Sequence, residues 1–257
     1  MKDWVLITGA SQGIGYEFAK LFAADGYSLV LVARDEPRLK QIAAELTVRP
    51  GVKVKVLASD LSVPDAAVKI FQELQHEQIH VEILVNNAGF GLQGPFVELD
   101  WRKQSDLLQV NITALAQMTQ LFLKPMLARR SGRIMNVAST AAFVPGPFMA
   151  LYYASKAHVH SFSQALAEEV AGSGVTVTAV CPGLTRSQFQ ARAGMKRHEG
   201  FPMMEADAVA RMGYRGLMRG KRRVVTGWMN WMLVCVAGFV PVGWTARIAA
   251  GMNRTKP

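Results

Sequence analysis

The sequence predicts an α/β fold, a doubly wound sheet of about seven parallel strands with helices on both faces. Three observations carry that expectation. Short apolar, β-branched runs alternate with helical stretches along the chain. The first of these runs passes through a glycine-rich turn directly into a helical pattern. Finally, 257 residues, 50% of them hydrophobic, suffice for one domain with a substantial core, and no repeat, low-complexity stretch or long linker divides them. A single domain over residues 1–257 is therefore expected.

The first strand, residues 4–8, is followed by Gly9-Ala-Ser11-Gln12-Gly13-Ile14-Gly15 and then by the helical pattern from Tyr16. Glycines at such a turn permit positive φ and a close backbone approach, while the free N–H groups of a helix start attract phosphate. Strand, glycine turn and helix in that order are the context that dinucleotide binding requires. Ser11, Gln12 and Ile14 lie within the same loop.

Further strands are expected at 28–33, 52–58, 82–86, 133–139, 175–180 and 222–226. In such a sheet ligands bind beyond the carboxyl ends of the strands, so Thr8, Arg34, Asp60, Asn86, Ser139 and Pro182 are placed to share one crevice. The second strand ends in Ala33-Arg34-Asp35. An acidic residue at that strand end would bond a ribose 2′-OH and repel a 2′-phosphate, whereas arginine pairs bidentately with phosphate. This favours NADP(H), with NAD(H) as the alternative because Asp35 is close and the glycine loop carries Gln12 rather than a basic residue. Of Asn86 and Asn87, one is expected to bond neighbouring strands while the backbone of Ala88-Gly89 passes the cofactor.

Residues 101–130 form a long helical pattern, apolar on more than one face, which contains Asn111 and suggests burial against a partner subunit as well as against the sheet. In Leu151-Tyr152-Tyr153-Ala-Ser155-Lys156, the spacing of four puts Tyr152 and Lys156 on one helix face, with Tyr153 rotated by roughly 100°. A phenol titrates near 10, and an adjacent ammonium would lower it toward neutrality. Ser139, at a predicted strand end, could hold the same substrate oxygen. Ser155, His158 and His160 are read as structural, and no metal-ligand spacing occurs.

Taken together, Thr8-Gly-x-x-x-Gly13-x-Gly15, Asn86-Asn-Ala-Gly89, Asn111, Ser139, Tyr152-x-x-x-Lys156 and Pro182-Gly183 resemble the short-chain dehydrogenases/reductases, in that family's order. The resemblance runs from about residue 2 to 226. It implies a Rossmann-like fold, a nicotinamide cofactor, and a catalytic tetrad of Asn111, Ser139, Tyr152 and Lys156. By carry-over, Tyr152 is the acid in reduction or the base in oxidation, and Ser139 polarises the carbonyl. Lys156 binds the nicotinamide ribose and lowers the tyrosine pKa, while Asn111 holds a relay water. Asp60-Leu61 matches the adenine-contacting pair. The backbone after Pro182-Gly183 meets the nicotinamide amide, and either Thr185 or Ser187 covers the pyrophosphate. A homodimer or homotetramer is implied.

Residues 187–205 read as a lid, with Phe189, Met195, Phe201, Met203 and Met204, and together with Phe143 and Phe148 they imply an apolar carbonyl or alcohol substrate. The extension 224–257 begins with a stretch, 224–246, that has no charged residue. Core or interface burial is the favoured reading, with peripheral membrane contact as an alternative. Two cysteines, and an apolar run entering the glycine loop with no room for a signal peptide, fit a reducing cytoplasm. The +10 net charge is scattered, without a nucleic-acid motif, and nucleic acid is not an expected partner. Alternatives to an oxidoreductase are a dinucleotide-binding redox sensor or a membrane-associated scaffold with little turnover.

Overall fold

The computed structural model describes residues 2–194 and 203–254. The chain begins with β1 (Lys2–Thr8), α1 (Gly13–Ala24), β2 (Tyr27–Ala33), α2 (Glu36–Thr47), β3 (Val54–Ala58), α3 (Ala66–His76) and β4 (Val81–Asn86). It continues through α4 (Trp101–Leu108), a π-helical segment (Gln109–Ala114), α5 (Leu115–Arg129), β5 (Gly132–Val137), α6 (Ala150–Glu169) and β6 (Val175–Cys181). Next come β7 (Thr185–Arg186), α7 (Phe189–Arg192), β8 (Met204–Glu205), α8 (Ala206–Met218), β9 (Arg223–Val225), α9 (Trp228–Ala237) and α10 (Val242–Asn253).

Seven strands form one sheet in the order β3-β2-β1-β4-β5-β6-β9, every pairing parallel. This is the doubly wound sheet the alternation predicts. Strand order reverses between β1 and β4, and the crevice at that reversal is where such sheets place a ligand. The seven predicted runs all become strands, with ends displaced by up to two residues. β3 starts at Val54 rather than 52, and β5 stops at Val137, leaving Ser139 beyond the strand.

Alternating side chains divide the core between the two faces, as strand geometry demands. Val5 and Ile7 of β1 pack with Phe18, Phe22, Ile42 and Leu217, beneath α1, α2 and α8. Leu6 points the other way, into a cluster with Ile70, Leu74, Met118, Phe122 and Leu166 from α3, α5 and α6. Val5, Leu6 and Ile7 are fully buried on their two faces, which explains why the middle of β1 reads as a continuous apolar run.

The apolar stretch 224–246 does not form one element. It is divided among β9, a ten-residue α9 and the start of α10, with Pro241 between the helices. Ten residues of helix span about 15 Å, half of what a bilayer core requires. No helix among the described residues is long and apolar enough to cross a membrane. The expectation of membrane association through this segment is overturned. Nor does α9 enter the core: none of its residues is buried, and Trp228, Trp231 and Leu233 are exposed.

Candidate active site

The glycine turn is shaped by what lies against it. Gly9 has φ +66°, in the left-handed region, and a Cβ there would come within 2.9 Å of Asn87 Nδ2. A Cβ on Gly15 would run into the Gly9 carbonyl oxygen and the Asn87 amide. The loop therefore folds back on itself and against the end of β4. Asn87 fastens this approach, its Nδ2 donating to the carbonyls of Thr8 (2.9 Å) and Gly9 (3.2 Å). Thr8 Oγ1 accepts from the backbone N–H groups of Asn87 and Ala88, both at 3.0 Å. The result is an open turn at the start of α1, beside the backbone of Ala88 and Gly89.

Asn86 faces the opposite side. Its Nδ2 donates to Thr119 Oγ1 at 3.0 Å and to Asn136 Oδ1 at 2.9 Å, and Asn136 passes the chain on to Ser163 Oγ at 3.0 Å. The Asn86 side chain, expected at the cofactor, is buried and ties β4 to β5 and α5, while Asn87 lines the cleft. Gly15 likewise supports the loop from beneath rather than lining the cleft.

One cleft of about 870 Å³ runs across the carboxyl ends of the strands. It collects Gly9, Ser11, Gln12, Gly13, Ile14, Arg34, Asp60, Leu61, Asn87, Ala88, Gly89, Ser139, Tyr152, Lys156, Pro182, Gly183, Thr185 and Ser187. Arg34 is largely exposed at its rim, 3.7 Å from Asp60. Burial pushes the Asp60 carboxyl upward, but hydrogen bonds from Ser62 and the nearby Arg34 charge outweigh it and hold the pKa below the usual range. Asp35, which threatened the 2′-phosphate reading, caps α2 by accepting from Arg38 N–H at 3.1 Å.

At the other end, Ser139 adopts an extended backbone and caps a short 3₁₀ turn, its Oγ accepting from Ala141 N–H at 3.1 Å and donating to the Pro182 carbonyl at 3.3 Å. This turn is why β5 ends before Ser139. Tyr152 is pushed up to about 12 by burial, and a hydrogen bond with Ser139 pulls in the opposite direction. Burial draws Lys156 down to about 8. Its Nζ donates to the Val137 carbonyl at 2.8 Å and lies 5.9 Å from the Tyr152 ring centroid. The predicted lowering of the tyrosine pKa by Lys156 is not found among the protein's own groups, because the ammonium is directed at β5 and desolvation dominates the phenol.

Asn111 lies in the π-helical segment that interrupts the long helix, a deformation frequent at functional sites. Its Nδ2 donates to the Phe90 carbonyl (2.9 Å) and Ser155 Oγ (3.0 Å), and its Oδ1 accepts from Phe90 N–H (3.1 Å). Both amide protons are engaged, so the side chain clamps the loop at Phe90 to Ser155 of α6. Ser155 donates to the Tyr152 carbonyl at 2.7 Å and so connects Asn111 to the tyrosine helix. A Cβ on Gly89 would reach Asn111 Oδ1 at 3.0 Å and Lys156 Nζ at 3.3 Å, so a larger residue would press on both side chains.

Thr185 donates to the Gly183 carbonyl at 3.0 Å, whereas the Ser187 Cβ lies 3.4 Å from where a Gly13 Cβ would stand. Among the lid residues, Phe189 lines the cleft, its ring centroid 5.2 Å from that of Tyr152. Met195 and Phe201 lie outside the described residues. Phe143 packs on His160 and Phe148 beneath Arg254, and neither lines the cleft as expected. The sequence reading missed Met149, Tyr153, Met252 and Asn253, all of which do. The last two come from α10, and no local motif announces them.

Residues 3–198 match the family model described as short chain dehydrogenase. The chain belongs to that family. A very-long-chain 3-oxoacyl-CoA reductase of Pyrenophora tritici-repentis is 39% identical over 182 residues, covering 69% of this chain and 53% of the relative. The chain spans about half the length of such curated relatives. A short-chain dehydrogenase from Sphingobium yanoikuyae, solved in complex with NADPH, superposes with a TM-score of 0.84 at 34% identity, covering 93% of this chain and 94% of that one. The bulky-bulky ketone specific alcohol dehydrogenase from Comamonas testosteroni gives 0.79 at 29% identity, with 93% and 92% covered.

Proposed function

We propose that this chain is an NADP(H)-dependent oxidoreductase that transfers a hydride between nicotinamide and a carbonyl/alcohol pair, acting on an apolar ketone or aldehyde. The observation that carries the reading is the convergence of Ser139, Tyr152 and Lys156 at one end of a cleft whose other end is the glycine turn. The cofactor fits the cradle physically: the turn is closed to side chains at Gly9 and Gly15, the corner at Gly89 is tight for a Cβ, and α1 begins beneath the loop. Gly9 to Gly13 would hold the pyrophosphate, with Ser187 over it. Arg34 would pair with a 2′-phosphate, Asp60 and Leu61 would flank the adenine, and Lys156 would hold the nicotinamide ribose. When bound, the nicotinamide supplies or accepts the hydride.

Ser139 would hold the carbonyl oxygen within reach of Tyr152. A phenol kept protonated at neutral pH is in the form that a general acid needs for reduction. The lowered pKa of Lys156 still leaves it mainly cationic at pH 7, so the site keeps a positive charge near the oxygen that becomes an alkoxide. Leu92, Met149, Leu184, Phe189 and Met252 give the substrate end an apolar wall, which supports a lipophilic carbonyl. The related structures with NADPH and with bulky-ketone specificity support the same assignment. The homo-oligomer implied by the family would cover exposed apolar side chains of α9 and α10, among them Trp231, Leu233 and Trp244. Sedimentation of the full chain tests that point, a monomer at micromolar concentration counting against it.

The experiment that tests the function is NADPH oxidation with a panel of long-chain and cyclic carbonyls, with Tyr152→Phe as the matched control. The expected result is turnover in the wild type that falls by about 10³-fold or more in the variant while NADPH still binds. Wild-type protein that binds NADPH and turns over none of the panel argues for the sensor reading instead.

A further inference from the structure

Asn253, the C-terminal residue of α10, is 2% exposed and makes three hydrogen bonds to segments 100 to 160 residues earlier in the chain. Its Nδ2 donates to the Pro147 carbonyl at 3.1 Å, and its Oδ1 accepts from the Tyr153 hydroxyl at 3.4 Å. Its backbone carbonyl accepts from Gln93 Nε2 at 2.6 Å. Of the three partners Tyr153 lines the cleft itself, while Gln93 follows the lining residue Leu92 and Pro147 stands two residues before the lining residue Met149. Gln93 lies in the loop after β4, and its own N–H donates to the Ala193 carbonyl just beyond α7 at 3.1 Å. Pro147 precedes α6, and the adjoining Phe148, at φ +64°, accepts from Gly94 N–H at 2.8 Å. Tyr153 adjoins Tyr152, and its ring leaves no room for a Cβ on Gly146.

These contacts do more than dock a helix. Phe148 occupies the left-handed region that a bulky residue adopts only when its surroundings hold it there, and the Arg254 guanidinium lies 5.4 Å from its ring centroid. The end of α10 thus fixes the loop carrying Phe148 and, next to it, the cleft residue Met149. Met252 is carried into the same cleft by the same anchor.

We propose that Asn253 is a positioning residue that sets the size of carbonyl substrate the cleft accepts, by fastening α10 to Gln93, Pro147 and Tyr153 so that Met252 and Tyr153 form a fixed wall. The inference rests on the carbonyl reductase reading above. A bulky substrate reaches this wall, whereas a small one bound at Ser139 and Tyr152 does not. Asn253 does not touch the reacting atoms in this scheme. Its effect falls on the binding of large substrates rather than on the chemical step.

The test compares wild type, Asn253→Ala and Asn253→Asp, with a bulky cyclic ketone and a small aldehyde as substrates, reading kcat and KM separately together with NADPH affinity by fluorescence. In Asn253→Ala the KM for the bulky ketone should rise about tenfold, with kcat and NADPH affinity held within about twofold and the small aldehyde unaffected. Asn253→Asp keeps the acceptor for Tyr153 but turns a carboxylate oxygen toward the Pro147 carbonyl, so its bulky-ketone KM should rise at least as far as in Asn253→Ala while the aldehyde is spared, a substrate-selective pattern that a general loosening of the fold would not give. If Asn253→Ala does not fold, Tyr153→Phe removes one of the three bonds and should raise the bulky-ketone KM about threefold while sparing the aldehyde. Equal effects on both substrates, or none on either, overturn the proposal while leaving the reductase reading intact. Wild-type protein that binds NADPH but reduces neither carbonyl overturns the reductase reading and this inference with it.

Discussion

The Lys156 ammonium donates to the Val137 carbonyl at 2.8 Å, while the ring centroid of Tyr152, its helical neighbour one turn earlier, lies 5.9 Å away. Spacing alone puts the two residues on one face, yet the cation is directed at the end of β5. Burial moves the Lys156 pKa from 10.5 to about 8, so in cofactor-free protein the folded state holds this proton less tightly than the unfolded chain does. Between about 8 and 10.5 the unfolded state binds more protons, and stability therefore rises with pH in that window. The stability of wild type relative to Lys156→Met should increase by on the order of 3 kcal/mol across it. Denaturant melts of both proteins at several pH values check this, and a flat difference would refute the desolvation account.

Asn86 and Asn87, adjacent in sequence, should fail differently when truncated. Asn86→Ala orphans the Asn136 carbonyl oxygen inside the sheet and should cost about 2 kcal/mol of stability, with NADPH affinity little changed in the folded fraction. Asn87→Ala frees the Thr8 and Gly9 carbonyls and should weaken NADPH binding by about tenfold or more. Thermal melts and fluorescence titrations of the two variants separate the roles.

Arg34 and Asp35 offer a similar contrast at the end of β2. Arg34→Ala should reduce NADPH affinity by about tenfold and leave NADH affinity nearly unchanged, because only the former carries the 2′-phosphate. Asp35→Ala should cost about 1 kcal/mol through loss of the α2 cap, without altering cofactor preference. A swing toward NADH in the Asp35 variant would mean that the carboxylate, not the arginine, governs the choice.

Two glycines test how tightly the loop is built. In Gly15→Ala the new Cβ meets the Gly9 carbonyl and the Asn87 amide, so destabilisation of at least about 2 kcal/mol and loss of NADPH binding are expected. At Gly251, within α10, a Cβ would meet nothing within 4 Å, and alanine should stabilise the protein by about 0.5–1 kcal/mol. Melting temperatures of the two single variants are the check.

The strands were legible because parallel strands buried on both faces must be apolar along their whole length, and the glycine turn because few residue types can follow a strand so tightly. The alternation of a strand put Asn86 and Asn87 on opposite sides, but which side faced the ligand depended on Thr119 and Asn136, residues far away in sequence. The direction of the Lys156 ammonium was hidden for the same reason, since its acceptor is a backbone carbonyl at the end of another strand. The π-helical segment around Asn111 leaves the apolar pattern intact and so does not show in periodicity. The role of α10 was least visible of all: Asn253 is an ordinary polar residue near the end of an apolar segment, and only its long-range partners distinguish it.

The three bonds of Asn253 also impose an order of assembly. During synthesis, every residue of the cleft up to Gln190 emerges before Met252 and Asn253 do. The glycine turn, Asn87, Tyr152 and Ser187 can thus come together on the nascent chain while the wall completed by α10 is still open. The nucleotide half of the cleft is the older in the life of each molecule, and the wall proposed to discriminate among carbonyl compounds closes after it.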